Sequence, residues 1–356
     1  MKIANLIAAA TVTALGLGGA MPAAAQDALN FGIISTESSQ NLKSQWVPFL
    51  EAMERQTGLT VKPFFASDYA GIIEGMRFGK VQVAWYGNKS AMEAVDRSNG
   101  EVFVQSTDPE GAQGYHSYIV AHKDSPIGNV GDMLKNAANL TFSNGDPNST
   151  SGFLVPGYYV FAVNGVDDPK KIFKRTVSAN HETNAMAVAN KQVDVATTNS
   201  EVLPRIEERQ PEKFAQLKVI WTSPLIPSDP IVWRKDLAQD VKAKLKTFFL
   251  TYGTATPNKT ADALKQEREV LATLKWGPFR ESNNDQLLPI RQLELFKAKT
   301  KLEADTALPE AEKKAKLAEI TATLAELQTK IAAKGCARGA PSPMRRLFLF
   351  PWNAAE

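Results

Sequence analysis

The sequence predicts an α/β protein of two lobes with a hinged cleft between them, followed by C-terminal helices. Three observations carry this. From residue 29 to 105, apolar runs alternate with helical faces over short connections, the signature of strand–helix–strand units on a parallel sheet. The alternation restarts after residue 122. Two stretches, GIIEGMRFGKVQVAW at 71–85 and NAMAVANKQVDVAT at 184–197, then share one plan of helix, lysine-bearing turn and Val-x-Val-Ala. The expected division is lobe 1 at 26–120 and 227–290, lobe 2 at 121–226, helices at 291–333 and a disordered tail at 334–356.

The first 25 residues stand outside this plan. Lys2 precedes an uncharged run to Met21, and Ala23, Ala24 and Ala25 offer a small-residue cleavage site before Gln26. This is the pattern of an export signal. It places the mature chain in the periplasm as a soluble protein, and it is too poor in bulky apolar residues for a membrane anchor. The first strand then falls at 29–34. Trp46, Phe49, Leu50 and Met53 line one helical face, stopped by Gly58. Strands follow at 59–65, 81–85, 102–105 and 117–122, with helices at 70–78 and 90–99.

In the second half, a helix at 134–138, strands at 140–142, 175–177 and 193–197, and a helix at 183–189 repeat the alternation. Strands at 219–222 and 231–233 carry the chain back, before helices at 237–252 and 263–274. Residues 292–330 are rich in Ala, Lys, Glu and Leu, divided by Pro309. Leu317, Ile320, Leu324, Leu327 and Ile331 form a heptad-like apolar seam. It serves either packing on the chain's own domain or a homodimer contact.

Composition narrows the function. A length of 356 residues suits two modest domains, and a net charge of +3 is too small to argue for nucleic acid. Cys336 is the single cysteine, so an intramolecular disulfide is impossible. His116, His122 and His181 are scattered, without H-E-x-x-H or C-x-x-C spacing. Neither a metal site nor a cofactor is expected.

The most informative stretch is SNGDPNSTSGFLVPG at 143–157. Gly145, Asp146 and Pro147 read as a turn, and Ser149, Thr150 and Ser151 as a helix start whose apolar face begins at Phe153. Free N–H groups, a partial positive charge and adjacent hydroxyls suit a tetrahedral oxyanion. The same residues also serve as an ordinary N-cap.

The blocks LNFGIISTESSQNLK (29–43), DYAGIIEGMRFGKVQVAWYGNKSAMEAVDR (68–97), FSNGDPNSTSGFLVPGYYVFA (142–162), HETNAMAVANKQVDVATTNSE (181–201) and WTSPLIPSDPIVWR (221–234) closely resemble the phosphonate-binding proteins of bacterial ABC importers. The resemblance spans residues 29–297. It implies a type II periplasmic binding protein fold, with no enzymatic activity, that delivers alkyl phosphonates such as 2-aminoethylphosphonate to a membrane permease. By the same resemblance Ser149, Thr150, Ser151, Tyr115 and His181 hold the phosphonate. Glu201, Asp229 and Tyr69 meet an ammonium end. The competing reading is a phosphonate or phosphate ester hydrolase that uses the same oxyanion site.

Overall fold

The computed structural model describes residues 28–337. The expected export signal and residues 338–356 of the expected tail lie outside the described residues. The chain begins with β1 (Leu29–Ile33), α1 (Ser39–Thr57), β2 (Val61–Phe65), α2 (Tyr69–Arg77), β3 (Val83–Trp85), α3 (Asn88–Arg97) and β4 (Gly100–Thr107). It crosses through β5 (Gly114–Tyr115) into β6 (Ser117–His122), α4 (Val130–Lys135) and β7 (Thr141–Asn144). After an irregular helical stretch come β8 (Arg175–Ser178), α5 (His181–Ala189), β9 (Val195–Asn199), α6 (Val202–Arg209), α7 (Pro211–Phe214) and β10 (Leu217–Thr222). It returns through β11 (Ile226–Pro227) to β12 (Pro230–Arg234), α8 (Gln239–Thr251), α9 (Ala261–Thr273), β13 (Gly277–Glu281), α10 (Leu288–Ala304) and α11 (Glu310–Ala337).

Two sheets result, ordered β13-β4-β12-β3-β1-β2 and β10-β6-β9-β7-β8. They obey one plan. In the first, β1 pairs in parallel with β2 and β3, and β12 runs antiparallel to β3 and β4. In the second, β7 pairs in parallel with β8 and β9, and β6 runs antiparallel to β9 and β10. The two similar stretches of sequence are thus α2–β3 and α5–β9, which occupy equivalent places. The sheets are mixed where an all-parallel sheet was expected, because each takes in a strand that has crossed from the other lobe, β12 and β6, and the first sheet adds β13 antiparallel to β4. The expected change of lobe after residue 120 falls inside β6, yet the whole strand from Ser117 pairs within the second sheet.

The first lobe closes around Phe31, Trp46, Phe49 and Phe249. The second sheet carries a core on each face, one around Phe142 and Phe161, the other around Val188 and Ile206. The crossings β5 and β11 pair with one another as a small antiparallel ribbon. Gly114 is required there, since a Cβ would lie 2.7 Å from the Ile226 carbonyl oxygen. Tyr115 and Ile226 pack with Leu154 and with Ile290 and Leu293 of α10, so this last segment seals the hinge.

Three elements depart from expectation. The helix α1 starts at Ser39, well before the helical face read from Trp46, because the Ser38 side chain caps the Asn41 N–H. The helix after Ser149 winds as π-type turns at Thr150–Leu154 and Gly157–Phe161. Pro156 has no N–H to continue an ordinary ladder, and the Leu154 N–H reaches back five residues to the Ser149 carbonyl. Finally, α11 runs to Ala337, so residues 334–337 of the expected tail are helical. Its seam is used within the chain: Leu324 and Leu327 are buried and α11 packs on α10.

Candidate functional site

Because β1, β2 and β3 run parallel, as do β7, β8 and β9, their carboxyl ends empty into loops on the same side of each sheet. In open α/β sheets that is where ligands lie. The loop after β2 brings Tyr69, that after β7 Ser149, Thr150 and Ser151, that after β8 His181, and that after β9 Glu201. The crossings supply the remaining two: Tyr115 is on β5, and Asp229 follows β11. All eight expected site residues therefore converge on the cleft. Seven are between 1% and 6% exposed, so a ligand can enter only when the lobes part. Glu201 keeps some solvent contact along its length, while its carboxyl is withdrawn from water.

One end of the cleft is a set of hydroxyls. Ser149 caps the helix by accepting from the Gly152 N–H at 2.9 Å. His181 Nε2 lies 3.3 Å from Ser149 Oγ and 3.4 Å from Ser151 Oγ. Asn199 donates to Ser151 Oγ at 3.2 Å. Tyr69 reaches the Ser149 hydroxyl, and Tyr115 that of Ser151. From the opposite lobe, the Lys89 N–H at the start of α3 donates to Thr150 Oγ1 at 2.8 Å, so two helix starts face one another here. The turn before Ser149 is tight: a Cβ on Gly145 would stand 2.5 Å from the Gly152 backbone.

The other end is acidic. Asp229 Oδ2 accepts from the Trp85 indole N–H at 3.1 Å, and Glu201 Oε1 from the Trp276 indole N–H at 3.2 Å. The two indoles meet edge to face, with centroids 5.5 Å apart. Burial and the neighbouring Glu201 push the Asp229 carboxyl well above the usual carboxylate range. Burial likewise raises Glu201, partly offset by Arg205 and the Trp276 N–H. Burial, aided by Arg205, lowers His181 to about 4, so it is neutral at pH 7. Asp229 Oδ1 and His181 Nδ1 are buried without a hydrogen-bond partner.

Trp85, Trp276, Gly87 and Lys89 belong to this site and were not expected from sequence. Trp85 had a signal, since it ends a strand whose carboxyl end opens on the cleft. Trp276 had none, because it lies 75 residues from the carboxylate it fixes. Among the described residues no group of His, Cys, Asp and Glu could hold a metal ion, and no helix is long and apolar enough to cross a membrane.

The family model for the phosphonate periplasmic substrate-binding proteins of ABC transporters matches residues 31–287. The chain is 58% identical over 302 residues to the phosphonates-binding periplasmic protein of Escherichia coli K12, covering 85% of this chain and 86% of that one. It is 30% identical over 233 residues to a phosphate-import protein of Mycolicibacterium smegmatis, covering 63% and 71%. A crystal structure of the binding-protein component of a Pseudomonas aeruginosa ABC phosphonate transporter superposes with a TM-score of 0.82 at 58% identity, covering 86% of this chain and 99% of that one. These relatives are substrate-binding components of transporters, not enzymes. With its two like sheets, its hinge ribbon, a family match over residues 31–287 and 58% identity over 85% of the chain, this protein belongs to the periplasmic phosphonate-binding family of ABC-transporter substrate-binding proteins.

Proposed function

We propose that the chain captures aminoalkyl phosphonates, 2-aminoethylphosphonate among them, and hands them to an ABC permease after export directed by residues 1–25. The observation that carries the choice of ligand is the polarity of the cleft. Hydroxyls, a neutral imidazole and helix starts gather at one end, and two buried carboxyls stand together at the other. In this reading Ser149, Thr150, Ser151, Tyr115 and His181 hold the phosphonate oxygens and Glu201 and Asp229 receive the ammonium group, while Tyr69, expected beside the carboxyls, keeps its hydroxyl on Ser149 within the field of both and so spans the two ends.

The magnitudes agree. A hydrogen bond to a charged group contributes roughly 1.5–3 kcal/mol, so five give on the order of 7–15 kcal/mol gross. Ordering the ligand costs about 4 kcal/mol or more, and micromolar binding needs about 8 kcal/mol net. At the other end, two like charges in a dry site repel unless a cation lies between them. An ammonium is such a cation; inorganic phosphate brings none.

Ester hydrolysis is disfavoured by one detail. Ser149 and Ser151 face His181 Nε2, but His181 Nδ1 has no partner to fix the imidazole as a general base. Of the two readings of the C-terminal seam, the homodimer contact gains no support, since Leu324 and Leu327 are buried inside the chain. Titration calorimetry of the mature chain tests the proposal. Tighter binding of 2-aminoethylphosphonate than of methylphosphonate is expected, and equal affinities or none would overturn it.

A further inference from the structure

The loop after β1 is the first-lobe equivalent of the Ser149 loop after β7, because β1 and β7 hold the same place in their sheets. It carries Glu37, whose side chain is wholly buried. Glu37 does not join the ligand residues. It accepts from Arg205 Nε at 2.5 Å, from Arg209 Nη2 at 2.5 Å and from Gln45 at 3.0 Å. Both arginines belong to α6 of the other lobe. Arg205 also donates to the Leu274 carbonyl at 3.1 Å, again in the first lobe. Arg209 turns back to Glu182 at 3.1 Å. Glu182 in turn accepts from the Ser38 N–H at 2.8 Å and from Asn41 at 2.6 Å, at the start of α1.

This network is tied to the ligand residues by chain connectivity. His181 and Glu182 are successive residues of α5. Glu201 and Arg205 stand one turn apart at the start of α6. Each helix thus offers one side chain to the cleft and another to the opposite lobe. Seating a ligand against His181 and Glu201 fixes the helices that also hold Glu182, Arg205 and Arg209.

We propose that Glu37, held by Arg205 and Arg209, is the latch of the closed state, and that Arg205 is a positioning residue setting how long a bound phosphonate stays. Resting on the phosphonate reading above, it adds which groups outside the ligand site govern release. A buried ion pair gains little over its hydrated partners, so the intact latch opens readily. Neutralising Glu37 is different: Arg205 is then buried in the closed form with the Leu274 carbonyl but no carboxylate, and Arg209 keeps only Glu182, while both are hydrated once the lobes part. The penalty falls on closure alone.

Stopped-flow binding of 2-aminoethylphosphonate and of methylphosphonate to wild type, Glu37→Gln and Arg209→Met tests it. Dissociation is expected to quicken by about tenfold or more in Glu37→Gln and less in the more exposed Arg209→Met, equally for the two ligands, with association unchanged. The unliganded melting temperature should hold while the ligand-saturated one falls. Unchanged dissociation overturns the latch, as does an equal drop in both melting temperatures, which marks a static structural pair. Failure of the wild type to bind either ligand overturns the phosphonate reading, and this proposal with it.

Discussion

Asp229 and Glu201 stand in each other's field at the acidic end of the cleft, each pinned by a tryptophan indole N–H. Burial comes first and their mutual repulsion second in raising Asp229. Groups with raised values favour the closed unliganded form below the ordinary carboxylate range, and lose that contribution as pH rises through the raised values. An ammonium between the carboxyls offsets that preference, so closing on an amine-bearing phosphonate retains fewer protons than closing on one without the amine. Calorimetry at mildly acidic pH, in buffers of different ionisation enthalpy, should show more proton release with 2-aminoethylphosphonate than with methylphosphonate. The same release for both would remove the ammonium from this end.

Substituting Glu201→Gln separates the ligands by another route. Truncating one partner of a buried charge pair costs about 3–5 kcal/mol, so 2-aminoethylphosphonate should bind weaker by two orders of magnitude or more. Methylphosphonate, with no cation to lose, should change little. Calorimetric affinities for both ligands decide it, and parallel losses would contradict the assignment.

At the opposite end, Ser151→Ala should weaken every phosphonate about alike, because the proposed reading sets its hydroxyl against the oxyanion and not the variable tail. One hydrogen bond to a charged group is worth roughly 1.5–3 kcal/mol, or about 10- to 150-fold in affinity. A loss confined to one ligand would place Ser151 elsewhere.

How much of this was legible beforehand follows from the range of each interaction. The Ser149, Thr150 and Ser151 helix start was readable because turn, cap and apolar face are local signals. So was the kinship of α2–β3 and α5–β9, which lies in side-chain pattern. The π-type turns were not, since a five-residue hydrogen bond leaves the apolar spacing nearly unchanged. Neither α6 nor β13 was foreseen. Glu37 carries no local signal in the sequence, and only the fold brings Arg205, 168 positions away, onto it.

His181 makes a stability prediction of the opposite sign to the carboxyls. Its value falls from the usual 6.5 to about 4 through burial. The contribution is complete above pH 6.5 and is lost as pH falls toward 4, up to about 3 kcal/mol. Thermal melts across this window should show wild type losing more stability than His181→Gln. The carboxyl effects are common to both proteins and cancel in the difference. Identical pH slopes would mean that His181 carries its proton in the folded state.

Gly87 tests the closeness of the two helix starts. Its φ of −72° is open to any residue, so Gly87→Ala introduces no backbone strain. The added Cβ, however, would lie 3.2 Å from Thr150 Oγ1 across the cleft and 3.9 Å from Asp229 Oδ1. In the open state Thr150 has moved away and the methyl group meets water. Overpacking of a tight contact costs about 1–3 kcal/mol, and here the cost falls on closure. The unliganded melting temperature should therefore stay near wild type, while affinity for both phosphonates drops by about 5- to 150-fold. Calorimetry and melts on the same preparations check both halves. Undiminished affinity would show that the ligand-bound lobes do not bring Gly87 and Thr150 together as they stand in this structure.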